Sequence, residues 1–170
     1  MGMDAAKLSA RKRQPGHDRS FEKSEDLFVD SLRKLLPPNE WEVTDHPKDL
    51  SKVISDRFGI VPEAKIFHKA TNKYVYFEVK KQGSRGNAEE RAAKHHTVQF
   101  YREMNRISGF DYHPFVTVMC DSLATDERYL LKHPFFFEPG QYFLWVNYDL
   151  RLLEDFLDEL IFRWILPPLP

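Results

Sequence analysis

Two carboxylates and a lysine stand close together near the middle of the chain: Glu63 directly after Pro62, then Glu78 and Lys80 one residue apart. The segment Tyr74–Lys80 is rich in aromatic and β-branched residues, which favours a strand. Side chains alternate across a strand. Val75, Phe77 and Val79 therefore share a core face, and Tyr76, Glu78 and Lys80 share the other. Ile60–Phe67 reads as the preceding strand, with Thr71-Asn72-Lys73 in the turn. An antiparallel hairpin of this kind can bring Glu63 beside Glu78. Paired hard oxygen ligands suit Mg²⁺, which takes one or two carboxylates plus substrate phosphate and keeps several waters. Lys80 could hold or polarise an attacking water. The chemistry that fits is metal-assisted hydrolysis of a phosphodiester. The bland alternative is an exposed strand face carrying a Glu–Lys pair, since the E-x-K triplet is common.

Behind this hairpin lies a bend, Gly83-Ser84-Arg85-Gly86, and then a basic helix. Asn87 fits an N-cap, with Glu90 at N3 in a variant of the capping box. Ala93, Thr97, Phe100, Tyr101, Met104 and Ile107 recur at spacings of three and four and read as the core stripe of one continuous helix. Its N-terminus would favour phosphate through free backbone N–H groups and the helix dipole. Arg85, Asn87 and Arg91 cluster there, and Arg and Asn are the side chains that read guanine and adenine bidentately in the major groove. A capped helix with solvated arginines is the alternative.

Taken together, Val61-Pro62-Glu63, Glu78-Val79-Lys80-Lys81-Gln82-Gly83 and Arg85-Gly86-Asn87-Ala88-Glu89-Glu90-Arg91 resemble a type II restriction endonuclease of the PD-(D/E)xK superfamily, in its EcoRI/MunI-like branch. The resemblance covers about a fifth of the chain, and its Gly-Asn-Ala-x-x-Arg piece is far more specific than its E-x-K piece. It implies an α/β, restriction-endonuclease-like core: a mixed β-sheet flanked by α-helices. It implies that Glu63, Glu78 and the backbone carbonyl of Val79 ligate Mg²⁺ and that Lys80 completes the catalytic set. Asn87, Ala88 and Arg91 would contact the adenines of a central AATT. Arg85 would help read the outer base pair, with Gly86, Lys81 and Gln82 in the same DNA-binding stretch. The partners implied are double-stranded DNA and a second copy of the chain, a homodimer on a palindrome. The products implied are 5′-phosphate and 3′-hydroxyl ends, in a restriction–modification setting. The chain departs from the family in carrying Glu63 where members have Asp. The link from Lys80 to the Gly-Asn-Ala turn is also short. A structure-specific or repair nuclease on the same fold, or a non-catalytic DNA-binding module, are the alternatives.

At 170 residues the length suits one domain, read as a basic N-terminal arm over residues 1–19 and a nuclease domain over 20–170. The net charge of −1 does not advertise nucleic-acid binding, but its distribution is uneven. Residues 7–19 hold five Lys/Arg against one acid, residues 80–94 five against two, and residues 149–159 one Arg against five acids. One basic side and one acidic side would follow. Lys7, Arg11, Lys12, Arg13 and Arg19 could order along a DNA backbone, or form a disordered tail. The single cysteine, Cys120, excludes an intrachain disulfide. It falls in an apolar strand, as a buried and inert thiol. With no secretory signal and no apolar run of membrane-spanning length, the expected location is cytoplasmic. His95 and His96, adjacent on the expected helix, read as surface residues.

The remaining elements frame the site. Ser20–Leu36 reads as a helix with Phe21, Phe28, Leu32 and Leu35 inward, stopped by Pro37-Pro38. Glu25 on this helix is an accessory carboxylate candidate, with surface charge as the other reading. Trp41–Val43 reads as a short strand and Asp49–Asp56 as a short helix. Tyr112–Cys120 is largely apolar and so a central strand. Residues 121–141 read as a long connection in which Phe135-Phe136-Phe137 are core or dimer contact. Tyr142–Tyr148 reads as a strand and Leu150–Trp164 as an amphipathic helix.

Overall fold

A five-stranded mixed sheet, in the order β1-β2-β3-β4-β5, forms the middle layer of the molecule. The computed structural model describes residues 15–83 and 86–166, with side chains from Ser24 onward. The basic arm residues Lys7, Arg11, Lys12 and Arg13, the bend residues Ser84 and Arg85, and the side chains of Arg19 and Phe21 lie outside the described part.

The strands are β1 (Trp41–Asp45), β2 (Ala64–His68), β3 (Tyr74–Gln82), β4 (Phe115–Asp121) and β5 (Tyr142–Leu144). The β1–β2 and β2–β3 pairs are antiparallel, while β4 lies parallel to both β3 and β5. The β2–β3 hairpin turns through Asn72 at φ +59°, a left-handed position that asparagine tolerates. β4 is central, as its unbroken apolar run indicated, and is buried from Phe115 through Cys120. Burial pushes the Cys120 thiol up to about 12.

One face of the sheet is covered by α1 (Pro15–Leu35) and α7 (Leu150–Leu160). Phe28 and Leu32 of α1, fully buried, and Leu153, Leu157 and Leu160 of α7 meet Val75, Phe77 and Val79 of β3 and Val116 and Val118 of β4. The Phe28 ring packs edge-on against Phe77 and Trp145, with centroids 5.2 and 5.6 Å apart. α1 starts five residues ahead of the expected Ser20, so it takes part of the expected arm into the fold. α7 is capped by Asp149, which accepts from the Arg151 amide at 2.8 Å, and it ends in a wide turn over Ile161–Ile165 rather than running to Trp164 as an α-helix.

The other face is not open. Tyr76 is buried with Leu50, Met104 and Phe115, while Met119 packs with Ala88, Ala92, Leu123, Tyr129 and Phe137. The covering elements are α2 (Ala88–Ala92), a 3₁₀ turn (Ala93–His95) and α3 (Val98–Ser108). This corrects the single helix expected from Asn87. The chain breaks at His96, and Thr97 caps a new helix by accepting from the Phe100 amide at 3.2 Å. α3 ends at Gly109, in the left-handed conformation at φ +70°. Ile107 is exposed, so the expected core stripe holds for Met104 but not to its end.

Other expectations also need correction. Residues 49–56 form turns, not a helix. They are tied down by Asp49, which accepts from Lys65 Nζ at 2.7 Å and from the Tyr76 hydroxyl. Residues 121–141 are not structureless, because they hold three single-turn helices, α4 (Ser122–Thr125), α5 (Glu127–Leu130) and α6 (His133–Phe136). Phe137 is core and Phe135 is exposed. The strand expected over Tyr142–Tyr148 stops at Leu144, and Val146–Tyr148 form a 3₁₀ turn. Among the described residues no helix is long and apolar enough to cross a membrane.

Candidate functional site

The hairpin places the two expected carboxylates together. β2 pairs with β3 from Phe67↔Tyr74 to Ala64↔Phe77, and the Glu63 amide adds a bond to the Phe77 carbonyl at 3.0 Å. The preceding residue is Pro62, which has no N–H to continue the ladder. The Glu63 side chain takes over there: its Oε2 accepts from the Val79 amide at 3.0 Å. The Glu63 and Glu78 carboxyls lie within side-chain hydrogen-bonding reach of each other. Lys80 Nζ stands 2.7 Å from Glu78 Oε1. Glu63 is 9% exposed, and the Glu78 side chain 12%, so the cluster is shielded but reachable from one side.

The electrostatics follow from that shielding. Burial first, then the charge of Glu78, raises the pKa of Glu63 to about 9. Burial opposes ionisation of Glu78 as well. The hydrogen bond from Glu63 and the ammonium of Lys80 outweigh it, holding Glu78 below its ordinary value. The two carboxyls therefore oppose ionising together, the proton being favoured on Glu63 and the charge on Glu78. Two like charges this close oppose each other, and a further cation between them would favour ionising both.

Magnesium accepts a small set of hard oxygens completed by water. Glu63 and Glu78 supply two. Along a strand, N–H and C=O of one residue point to the same side. The Val79 amide faces Glu63, so its carbonyl faces the same flank, which β2 has left by ending at Ala64. The donor set therefore fits the ion. Among the described residues there is no group of three or more His, Cys, Asp and Glu side chains able to hold a metal. The fit thus rests on two carboxylates and main-chain oxygen. Glu25 of α1, the accessory candidate, is brought to the same region. Burial raises its pKa, His46 opposes the rise from a contact at 3.9 Å, and the charge of Glu78 adds to it.

The expected DNA-reading residues divide. Gln82 lies on the Glu78 face, and its side-chain amide sits against Gly86. A Cβ on Gly86 would stand 2.2 Å from it, and the backbone there has φ +144°. Asn87, Ala88 and Arg91 follow on α2. Ala88 is buried, Arg91 is exposed, and Asn87 makes no side-chain cap bond. The capping box is thus not formed. A five-residue helix also has too short a dipole to sustain the phosphate reading given to its N-terminus. Lys81 is on the opposite sheet face from Lys80 and is paired with Asp121 at 3.3 Å. That pair joins a small network in which the Tyr148 hydroxyl donates to Asp121 Oδ1 at 3.0 Å and lies 3.2 Å from Ser24 Oγ.

Sequence reasoning missed two features of this region. His95 is buried, not on a helix surface: its ring lies on Phe115 at 4.8 Å, and Phe115 pairs with Tyr76 of the Glu78 strand. His96 reaches Thr117 Oγ1 at 2.7 Å, and His113 Nε2 lies 2.9 Å from the His95 carbonyl. Burial lowers the three imidazoles to about 4, 3 and 4 for His95, His96 and His113, so all are neutral at neutral pH. The adjacent pair gave no signal for this, because the helix break that turns both inward is tertiary. The second feature is Glu89, which is fully buried.

The fold is similar to that of a solved protein. The structure of MunI restriction endonuclease in complex with cognate DNA superposes with a TM-score of 0.63 at 20% sequence identity, covering 71% of this chain and 80% of that one. The fold is therefore restriction-endonuclease-like. No protein-family model matches the chain, and no curated protein does.

Proposed function

We propose that this chain is a Mg²⁺-dependent, sequence-specific endonuclease for double-stranded DNA, a type II restriction enzyme of the EcoRI/MunI-like branch acting as a homodimer. The observation that carries the reading is the meeting of Glu63, Glu78 and Lys80 at the flank where β2 ends. The MunI neighbour, solved with its cognate DNA, supports DNA as the substrate. Glu63, Glu78 and the Val79 carbonyl would hold Mg²⁺, which when bound supplies Lewis-acid stabilisation of charge on the phosphate. Lys80, held at Glu78, donates to the water or phosphate oxygen that enters beside it and offsets the excess negative charge. To hold the ion Glu63 would bind as the carboxylate, its proton passing to solvent. Asn87 and Arg91, with the main chain of Ala88 between them and Gln82 beside Gly86, would meet the bases of a palindrome with central AATT, with Arg85 in the same stretch of sequence, and cleavage would leave 5′-phosphate ends.

The test is cleavage of plasmid DNA by purified protein. Discrete bands with Mg²⁺, abolished by EDTA, are expected, and a continuous smear removes the sequence-specific part. Glu78→Ala is expected to bind DNA without cutting it, and full activity in that variant rejects the site. Light scattering of the DNA complex is expected to give two protomers per duplex.

A further inference from the structure

The segment proposed to read bases has little of its own to hold it in place. α2 is five residues long, well below the length at which a helix persists unaided, and Asn87 does not cap it. Its packing into the layer below comes through Ala88 and Ala92, two methyl groups against Met119, Leu123, Tyr129 and Phe137. Methyl packing resists withdrawal but does little to fix rotation or register.

Glu89 lies between these alanines and has no solvent exposure. Among the described residues, neither of its carboxylate oxygens has a hydrogen-bond partner. The cation facing it is Lys132, from the α5–α6 junction, with Nζ 3.7 Å from Glu89 Oε1 and 3.6 Å from Glu90 Oε1. The same stretch of chain also brings the Tyr129 hydroxyl to within 3.4 Å of the Gly86 carbonyl and 3.5 Å of the Gly83 carbonyl. A fully buried carboxylate is costly unless paired. Glu89 can therefore stay inside only while α2 keeps the orientation that presents it to Lys132. The contact with Lys132 ties the orientation of α2 to the α5–α6 junction, which methyl packing alone would not do.

We propose that Glu89 and Lys132 are positioning residues for sequence discrimination, an ionic pin that sets the base-reading segment Gly86–Arg91 against the α5–α6 connection. The proposal rests on the functional reading above. It assigns to the 121–141 connection the work of holding the reader, although none of its side chains belongs to the metal cluster.

The experiment compares binding to duplexes carrying AATT in each palindromic outer context with binding to a scrambled duplex of the same composition, together with thermal unfolding of each variant. If the wild-type chain makes no such distinction, the proposed function fails and the pin for sequence discrimination falls with it. If it does, Lys132→Met is expected to lower the cognate-to-scrambled affinity ratio about tenfold or more, the size of a lost base contact, and Lys132→Arg is expected to keep it. A lysine that merely touched phosphate would lower both affinities together and reduce the salt slope by about one, and that result overturns the proposal. Should Lys132→Met not fold, the double variant Glu89→Gln with Lys132→Met removes both charges. It is expected to fold but to discriminate poorly, and full discrimination in the double variant also overturns the pin.

Discussion

Replacing Glu63 by alanine and by glutamine separates its structural role from its chemical one. In the free protein the proton is favoured on Glu63, because burial and the neighbouring Glu78 charge raise its pKa. It accepts from the amide of Val79, a residue 6% exposed whose N–H has no strand partner on that side. Alanine removes that acceptor. A buried donor left unpaired costs about 1–3 kcal/mol, and the lost γ-methylene adds about 0.8 kcal/mol. The expected destabilisation of Glu63→Ala is thus about 2–4 kcal/mol. Glutamine presents the same pattern as the protonated acid: an oxygen for the Val79 amide and an N–H for Glu78. Glu63→Gln is expected to stay within about 1 kcal/mol of wild type, the net worth of one ordinary hydrogen bond. Both variants lose a hard anionic ligand and are expected to show no Mg²⁺-dependent cleavage. Urea unfolding followed by tryptophan fluorescence reads the first quantity, and plasmid cleavage with a Mg²⁺ titration reads the second. Equal stability of Glu63→Ala and wild type would refute the claim that this side chain completes the strand edge. Wild-type cleavage by Glu63→Gln would remove it from the metal set.

Acid should destabilise the protein through its buried imidazoles. His95, His96 and His113 have folded-state values lowered to about 4, 3 and 4, below the ordinary 6.5, so the unfolded chain binds more protons between those limits. Their contribution is complete above pH 6.5 and is lost as pH falls towards 4, at about 1.4 kcal/mol per pH unit at most for each imidazole. Melting temperature against pH should fall over that window, and less steeply in His96→Gln; an unchanged slope refutes the assignment. Gly86→Ala places a side chain at φ +144° against the Gln82 amide. A stability loss of about 1–2 kcal/mol is expected from the strain, with sequence-specific cleavage lost before the fold is; calorimetry and cleavage on one preparation check it. Phe135→Ser changes a side chain 87% exposed and is expected to leave stability within about 0.5 kcal/mol. A larger drop on urea unfolding means that this ring is covered in solution.

The parts of the fold that could be read from the chain are those written in short periods. Alternation in β3 put Glu78 and Lys80 on one face, and the hairpin turn set Glu63 opposite Glu78. The apolar run of β4 marked its central place. What could not be read was decided by partners far along the chain. A stripe at helical spacing continued through Thr97, but burial of His95 against Phe115 and the bond of His96 to Thr117 break the helix there. Single-turn helices such as α4, α5 and α6 are shorter than any periodic signal. Asp49 belongs to a turn because Lys65 and Tyr76 hold it, and Tyr76, expected on an open face, is buried by the same contact. Glu89 reads as a solvated first-turn acid until Lys132 is placed beside it.

The substitution of Glu63 for the aspartate of the resembled branch has a local rationale in this geometry. The Glu63 amide is already committed to the Phe77 carbonyl, which fixes its backbone in the ladder. The acceptor for Val79 must then come from a side chain that reaches further along β3 than the backbone itself does. Glutamate has the extra methylene for that reach, and from the same position it meets Glu78. A strand that stops at a proline, a side chain long enough to stand in for the missing strand, and a neighbouring carboxylate that opposes its ionisation together make a place that gains from a cation. The longer side chain is therefore compatible with the metal reading, because its length is used to close the sheet edge beside the ligands.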